Sequence, residues 1–206
     1  MWVDVPNVVA VHPSLPVHNI RDFIAHVRAR PGALNFGSAG SASQNRLEME
    51  VFARLHGLQM VNVPYRGGAG PAMNDLIAGH LQVMLTTVPT ALSGVQGGRA
   101  RALAVTSAAR FPALPDVPTL AELGFPESTS TSWQGLHVPA GTQPAIIRRL
   151  FDATVATLRD ETVARRLIEA GAVPAPSESP EAFARLLASE VTRWRGVVAD
   201  VGVTPD

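Results

Sequence analysis

Two segments rich in small residues contain most of the groups that could do chemistry in this sequence. Residues 37–43 read Gly-Ser-Ala-Gly-Ser-Ala-Ser, and residues 64–70 read Pro-Tyr-Arg-Gly-Gly-Ala-Gly. Each segment lies between a run typical of a strand and a pattern typical of a helix. Free backbone N–H groups and a helix N-terminus at such a junction favour a bound anion. We name these segments the serine loop (37–43) and the arginine loop (64–70).

The two loops and the strand after them supply the candidate ligand-binding residues. These are Ser38, Ala39, Gly40, Ser41, Tyr65, Arg66, Gly67, Gly68 and Thr86. Arg66 could pair with a carboxylate through two parallel hydrogen bonds. Thr86 ends a predicted strand and would face the same cleft. An ordinary interpretation stays open, because a Gly/Ser segment before a helix is usually a turn and a cap, and an arginine is usually a solvated surface residue.

Common catalytic and metal-binding motifs do not fit. The serine loop is not G-x-S-x-G, and the glycines of the arginine loop do not complete G-x-G-x-x-G because Met73 stands at the last position. The six histidines lack H-x-x-x-H and H-E-x-x-H spacing. All 17 basic residues are arginine and cysteine is absent, which excludes Schiff-base lysines and thiolate nucleophiles. We expect no enzymatic activity, no metal site and no cofactor.

Strands and helices alternate along the chain, which predicts an α/β fold with a largely parallel sheet. The expected strands are 7–12, 33–36, 59–63, 80–86, 101–106 and 132–138. Helices are expected from Asn19, from a Ser41–Gln44 capping box, from Pro71, from Pro89 and over 119–123. Residues 143–201 predict three amphipathic helices, the last of them capped by Ser179.

Composition narrows the class of partner. The chain has 206 residues, 46% of them apolar, and its 17 basic and 17 acidic residues balance. A nucleic-acid binder normally shows a basic excess, so no nucleic-acid partner is expected. No apolar run reaches the roughly 18 residues that span a bilayer. The first residues lack the charged and apolar regions of a signal peptide.

Five segments resemble the substrate-binding proteins of tripartite tricarboxylate transporters, the Bug family. They are VPNVVAVHPSLPV (5–17), LNFGSAGSASQNRLEMEVFARLHG (34–57), VNVPYRGGAGPAMNDLIAGHLQVM (61–84), RARALAVTSAARFPALPDVPTLAELGFP (99–126) and SWQGLHVPAGTQPAIIRRL (132–150). The resemblance implies a type II periplasmic-binding-protein-like fold in an N-terminally truncated member. Residues 1–128 would then form a complete ligand-binding lobe, the second lobe of the family. Residues 129–206 would form a hinge strand and the C-terminal helices of an incomplete first lobe.

The resemblance also implies a function. Members bind a small carboxylate, such as a di- or tricarboxylate, in a cleft between lobes and deliver it to membrane permease subunits. The family's carboxylate loop matches Ser38 to Ser41, and its second-lobe loop matches Tyr65 to Gly68. Thr86 stands where many relatives carry an acid, which favours a plain carboxylate over an amino acid. The implied location is the periplasm, and the incomplete lobe predicts a homodimer.

Two other functions were weighed. A ligand-sensing module of a regulatory system would reuse the same fold, but its usual helix-turn-helix is missing from the sequence. A small α/β hydrolase would need a serine with a base in reach, and the spacing of Ser38 or Ser41 to the histidines gives no support for one.

Overall fold

The computed structural model describes residues 1–202, which form seven strands and seven α-helices. The strands are β1 (Val3–Val11), β2 (Asn35–Ser38), β3 (Val61–Pro64), β4 (Val83–Thr87), β5 (Arg101–Val105), β6 (Thr131–Gln134) and β7 (Val173–Pro174). The helices are α1 (Ile20–Arg28), α2 (Gln44–Leu55), α3 (Ala69–Ala78), α4 (Val88–Gln96), α5 (Pro144–Arg159), α6 (Glu161–Glu169) and α7 (Pro180–Val201). The chain is thus mixed α/β, as the sequence predicts.

The main sheet has the strand order β3-β2-β4-β1-β5. Strand β2 runs parallel to β3 and β4, whereas β1 runs antiparallel to β4 and β5. The prediction of a largely parallel sheet is therefore wrong for β1, which runs antiparallel to both of its neighbours in the main sheet. The reason is that β1 enters from a neighbouring sheet, where residues 3–6 pair with β6 and residues 3–4 with β7. One long strand thereby joins both sheets.

Helices cover both faces of the main sheet. Along β1, Val9 and Val11 pack with α1 and α2, while Val8 and Ala10 pack with α3 and α4. This alternation follows from the pleat, which sends successive side chains to opposite faces. Strands buried on both faces read as continuous apolar runs, which explains the Val-Val-Ala-Val stretch.

Two predicted helix starts and two predicted elements differ from the structure. The N-cap of α2 is Ser43 and not Ser41, because a turn closes at the Ser43 N–H before the helix begins. Helix α3 begins at Ala69 and not at Pro71. Residues 119–123 form a hydrogen-bonded turn and not a helix, since Thr119 pairs with Val105 beside β5.

Strand β6 is shorter than the predicted 132–138 and ends at Gln134. The next residue, Gly135, lies under the Phe183 ring, where an added Cβ would be only 2.3 Å from a ring carbon. Helices α5 to α7 follow, and Ser179 caps α7 as predicted. Among residues 1–202, no helix combines the length and the apolar character needed to cross a bilayer.

Candidate functional site

The serine and arginine loops lie side by side at one edge of the main sheet. Strands β2 and β3 are parallel neighbours with Ser38 in register with Pro64, and the N–H of Tyr65 donates to the Ser38 carbonyl at 2.9 Å. Because β4 also runs parallel to β2, its end at Thr87 reaches the same edge. The sheet thus brings together the three segments on which the sequence places the candidate residues.

The Gly40 carbonyl of the serine loop turns toward donors within the loop. The carbonyl of Gly40 accepts from the Ser43 N–H at 3.3 Å, from Ser43 Oγ at 3.0 Å and from Ser38 Oγ at 3.3 Å. Gly40 has φ +121°, a conformation that side-chain-bearing residues rarely adopt. Ser38 is almost fully buried, so its hydroxyl supports the turn from inside.

Amide N–H groups are the polar groups that the serine loop leaves for a ligand. Within residues 1–202, no backbone carbonyl accepts from the N–H of Ala39 or Ala42. Helix α2 begins directly after the loop, and its first turn carries no acidic residue to neutralise the positive end of the helix dipole. The arrangement favours an anion.

Tyr65 in the arginine loop turns its hydroxyl onto α3. That hydroxyl donates to an Asp75 carboxylate oxygen at 2.5 Å. Burial of the phenol, together with the Asp75 carboxylate, raises the pKa of Tyr65 to about 12, and the tyrosine hydrogen bond lowers the pKa of Asp75. The ring is fixed, and its hydroxyl already has an acceptor.

Arg66 and the two glycines after it are the accessible part of the arginine loop. The Arg66 side chain is exposed, and no acceptor among residues 1–202 bonds to its guanidinium. Gly68 caps α3 with φ +88°, and no side chain caps the first N–H groups of this helix. A cation and uncapped amides therefore stand beside the serine loop, which matches the donor set that a carboxylate prefers.

Thr86 lies deeper than its sequence position suggests. The residue is 1% exposed, and its Oγ1 has no hydrogen-bond partner among residues 1–202. A buried hydroxyl without a partner costs about 1–3 kcal/mol. Its neighbour Thr87 is half-buried and shares a 3.0 Å hydrogen bond with Thr90. A contact between Thr86 and a ligand stays a prediction.

Three cavities lie away from both loops. Volumes of about 710 and 200 Å³ adjoin Ser130 and Arg193, and an apolar groove of about 290 Å³ runs between β6, α5 and α7. No serine-loop or arginine-loop residue lines any of the three. The arginine loop lies at the surface, where Arg66 and Gly67 are exposed.

A buried polar cluster near the same sheet edge escaped the sequence analysis. Asn7 is fully buried and donates from Nδ2 to a Glu48 carboxylate oxygen at 2.7 Å, while Asn45 donates to Asn7 Oδ1 at 3.2 Å. Gln44 donates to the other Glu48 oxygen at 3.0 Å. Two features of the sequence point to this cluster. One is an asparagine inside an apolar strand, and the other is the spacing of four residues between Gln44 and Glu48 on a helix.

Burial dominates the electrostatics of this cluster. It raises the pKa of the Glu48 carboxyl, against the opposing effects of hydrogen bonds from Gln44 and Ser130. Asn7 marks the point at which β1 leaves β6 and joins β4 and β5. Glu48 therefore ties the start of α2 to the strand that joins the sheets. Within residues 1–202, no group of three His, Asp or Glu side chains is placed to hold a metal.

Comparison with known proteins identifies relatives along the whole described chain. The model of the tripartite tricarboxylate transporter family receptor matches residues 1–203. Protein BugT of Bordetella pertussis is 35% identical over 199 residues, which are 97% of this chain and 60% of BugT. The chain thus spans about 60% of the length of the curated relatives it matches first.

Two solved structures share the architecture. R. palustris Rpa4515 with adipate is 33% identical with a TM-score of 0.89, over 100% of this chain and 68% of that one. MatC (Rpa3494) from Rhodopseudomonas palustris with bound malate is 29% identical with a TM-score of 0.82, over 95% and 67%. The fold is periplasmic-binding-protein-like, and the chain belongs to the tripartite tricarboxylate transporter receptors, a family of substrate-binding receptors and not of enzymes.

Proposed function

We propose that the serine and arginine loops bind a small carboxylate solute on behalf of a tripartite tricarboxylate-type transporter. One observation carries the proposal: the Tyr65–Ser38 backbone bond holds the serine loop, whose Gly40 carbonyl faces inward, beside the arginine loop, whose Arg66 has no acceptor among residues 1–202. Two relatives of similar fold carry adipate and malate, both of which are dicarboxylates. A di- or tricarboxylate is therefore the substrate class that we propose.

Each loop has its own role in this proposal. Amides of the serine loop from Ser38 to Ser41, together with the amide of Ala42, receive one carboxylate through hydrogen bonds to the charged form. Arg66 supplies the balancing charge, and Gly67 and Gly68 allow the backbone to approach the ligand closely. Thr86 lies behind these loops, and its buried hydroxyl would need a small rearrangement to reach a ligand.

The lobe assignment and the transport partners belong to the same proposal. Residues 1–128 would be the complete ligand-binding lobe, which is the second lobe of the family, and residues 129–206 the hinge strand and C-terminal helices of the incomplete first lobe. The permease subunits would receive the solute in the periplasm. The shared strand β1 supports a hinge between the lobes, because its first four residues pair in one sheet and its last five in the other.

Calorimetric titration with adipate, malate, citrate and succinate tests this function. Arg66→Gln is expected to weaken binding by about tenfold, the loss of one charge-assisted contact. Arg99→Gln is the matched control, because Arg99 is exposed and precedes β5 at the opposite edge of the sheet. Silence across the panel, or equal losses in both variants, would refute the proposal.

A homodimer through the C-terminal region is a further part of the proposal. Its support is the apolar groove, whose rim leaves Leu136, Val138, Leu150 and Trp2 at least one third exposed. Contiguous apolar surface of this kind marks association sites. Light scattering should give twice the chain mass for the wild type and less for Leu150→Asp; a wild-type monomer at high concentration would contradict the dimer.

A further inference from the structure

Arg46, in the first turn of α2, reaches back to the serine loop. Its Nη1 donates to the Ser41 carbonyl at 2.6 Å, across five residues of sequence. The same residue is held at its backbone, where the Arg46 N–H donates to Ser43 Oγ at 3.4 Å. One residue therefore contacts the loop through both its main chain and its side chain.

The contact with Ser41 decides which way the next amide points. The C=O and N–H groups of a trans peptide unit, such as the one between Ser41 and Ala42, point in opposite directions. A Ser41 carbonyl held on the guanidinium therefore directs the Ala42 N–H to the other side of the loop. The Gly40 carbonyl is turned inward by Ser38 and Ser43 in the same manner.

The guanidinium keeps unused hydrogen-bonding capacity. Its Nε is buried without a hydrogen-bond partner among residues 1–202, and the nearest carboxylate oxygen, on Glu50, is 3.7 Å away. An unpaired buried donor destabilises a fold, so stability alone does not explain this geometry. The positive charge lies beside a loop that presents amides to an anion.

From these contacts, the geometry points to Arg46 as the positioning residue of the carboxylate site: it fixes the amide direction of the serine loop and adds positive charge behind it. This inference rests on the proposed function and adds a residue that contacts the loop and not the solute. It also assigns an opposing role to Glu50, whose carboxylate partly neutralises Arg46.

Two measurements on four variants test the inference. Arg46→Gln removes the charge, Arg46→Lys keeps it, and Glu50→Gln removes the counter-charge. Arg165→Gln is the matched control, because Arg165 and Glu169 form the same i, i+4 pair on α6 at 3.9 Å. Each variant is checked for normal folding by its thermal midpoint.

The first measurement is adipate and malate affinity by calorimetry. We expect Arg46→Gln to bind about tenfold more weakly, Arg46→Lys to recover most of the affinity, and Glu50→Gln to bind at least as tightly as the wild type. Arg165→Gln should not change the affinity. A folded Arg46→Gln variant that binds like the wild type would overturn the inference.

The second measurement needs no ligand and separates this inference from the proposed function. Amide NMR shifts of Ala42 and Ser43 should move in Arg46→Gln, move less in Arg46→Lys and stay in place in Arg165→Gln. Unmoved loop amides would overturn the positioning role even if the wild type binds. Moved amides in a wild type that binds no carboxylate would instead refute the proposed function alone.

Discussion

Two regions bury their apolar side chains to very different extents. One is the main sheet with helices α1 to α4, which we call the main-sheet region. The other is the C-terminal region, which contains helices α5 to α7. Among the described residues, the buried apolar side chains lie between residues 3 and 120, with Leu158 and Ala172 as exceptions. Helix α7 spans 22 residues and has no buried residue. Both regions carry amphipathic helices, so the difference lies in what covers their apolar faces. The main-sheet region can position its loops on its own core, whereas the C-terminal region presents a groove.

The serine and arginine loops are positioned by strands that belong to a buried core. Strand β4 has buried side chains on both faces, and β2 and β3 pair in parallel register beside it, so the backbone after each strand leaves at a defined place. Short-range hydrogen bonds, such as the one from Ser43 to the Gly40 carbonyl, then position the residues that could bind an anion. The C-terminal groove, lined by Leu136, Phe151, Phe183 and Leu187 among others, offers apolar surface but few polar groups with defined direction.

The largest expected effect is on the free energy of unfolding, when a leucine is replaced by alanine in each of the two regions. Leu103→Ala, in the buried core beside β1, should lower the free energy of unfolding by about 2–5 kcal/mol. Leu150→Ala on α5 should lower it by less than about 1 kcal/mol, because that side chain is 37% exposed. Urea unfolding, at protein concentrations where light scattering gives the mass of one chain, measures both. Equal losses in the monomer would remove the contrast between the two regions.

A smaller, pH-dependent effect is expected at Glu48, where the main-sheet region meets the strand shared with the second sheet. Burial raises the pKa of this carboxyl, so folding favours its neutral form. Its contribution to stability is therefore complete below the ordinary carboxyl pKa and is lost as pH rises through the folded value. Glu48→Gln stays neutral, so its stability relative to the wild type should rise with pH.

Glu122→Gln provides a control of opposite sign for Glu48. The Thr119 backbone N–H and then Arg110 lower the pKa of Glu122, so its contribution is present above the ordinary carboxyl pKa and is lost as pH falls through the folded value. The stability of Glu122→Gln relative to the wild type should thus fall as pH rises. Chemical unfolding from pH 3 to pH 8 tests both, and parallel trends would show that the Glu48 carboxyl is solvated.

The smallest expected effect is spectroscopic and concerns the arginine loop. Tyr65 is the one tyrosine of the sequence, so phenolate absorbance near 295 nm reports on it alone. With its pKa raised to about 12 by burial and by Asp75, the folded protein should show little ionisation at pH 10.5. In the Asp75→Asn variant, Tyr65 should ionise at lower pH than in the wild type. Substantial wild-type ionisation at pH 10.5 in the folded protein would place the hydroxyl away from Asp75.

Much of the fold and of the loop arrangement follows from local sequence patterns. The serine and arginine loops were predicted because a small-residue run between a strand pattern and a helix pattern is a short-range signal. Ser179 as the α7 cap was predicted for the same reason. Whether Ser41 or Ser43 caps α2 could not be read in this way, since a turn at Gly40 shifts the helix start by two residues.

Long-range contacts explain what the sequence did not reveal. The direction of β1 depends on its pairing with β6 and β7, which are more than a hundred residues away. The burial of Glu48 depends on Asn7 and on the chain around residue 130, and the helical pattern of α2 alone makes it look like a surface acid. Thr86 looked exposed because it ends a strand, yet packing closes over it.

Amide NMR during titration with adipate and malate tests whether the serine and arginine loops bind the carboxylate. We expect the shifted resonances to cluster in residues 38–43 and 65–68, and Arg66→Gln to weaken the affinity of the protein for the titrant. Shifts confined to the groove between β6, α5 and α7, or no shifts at concentrations that saturate a related receptor, would contradict it.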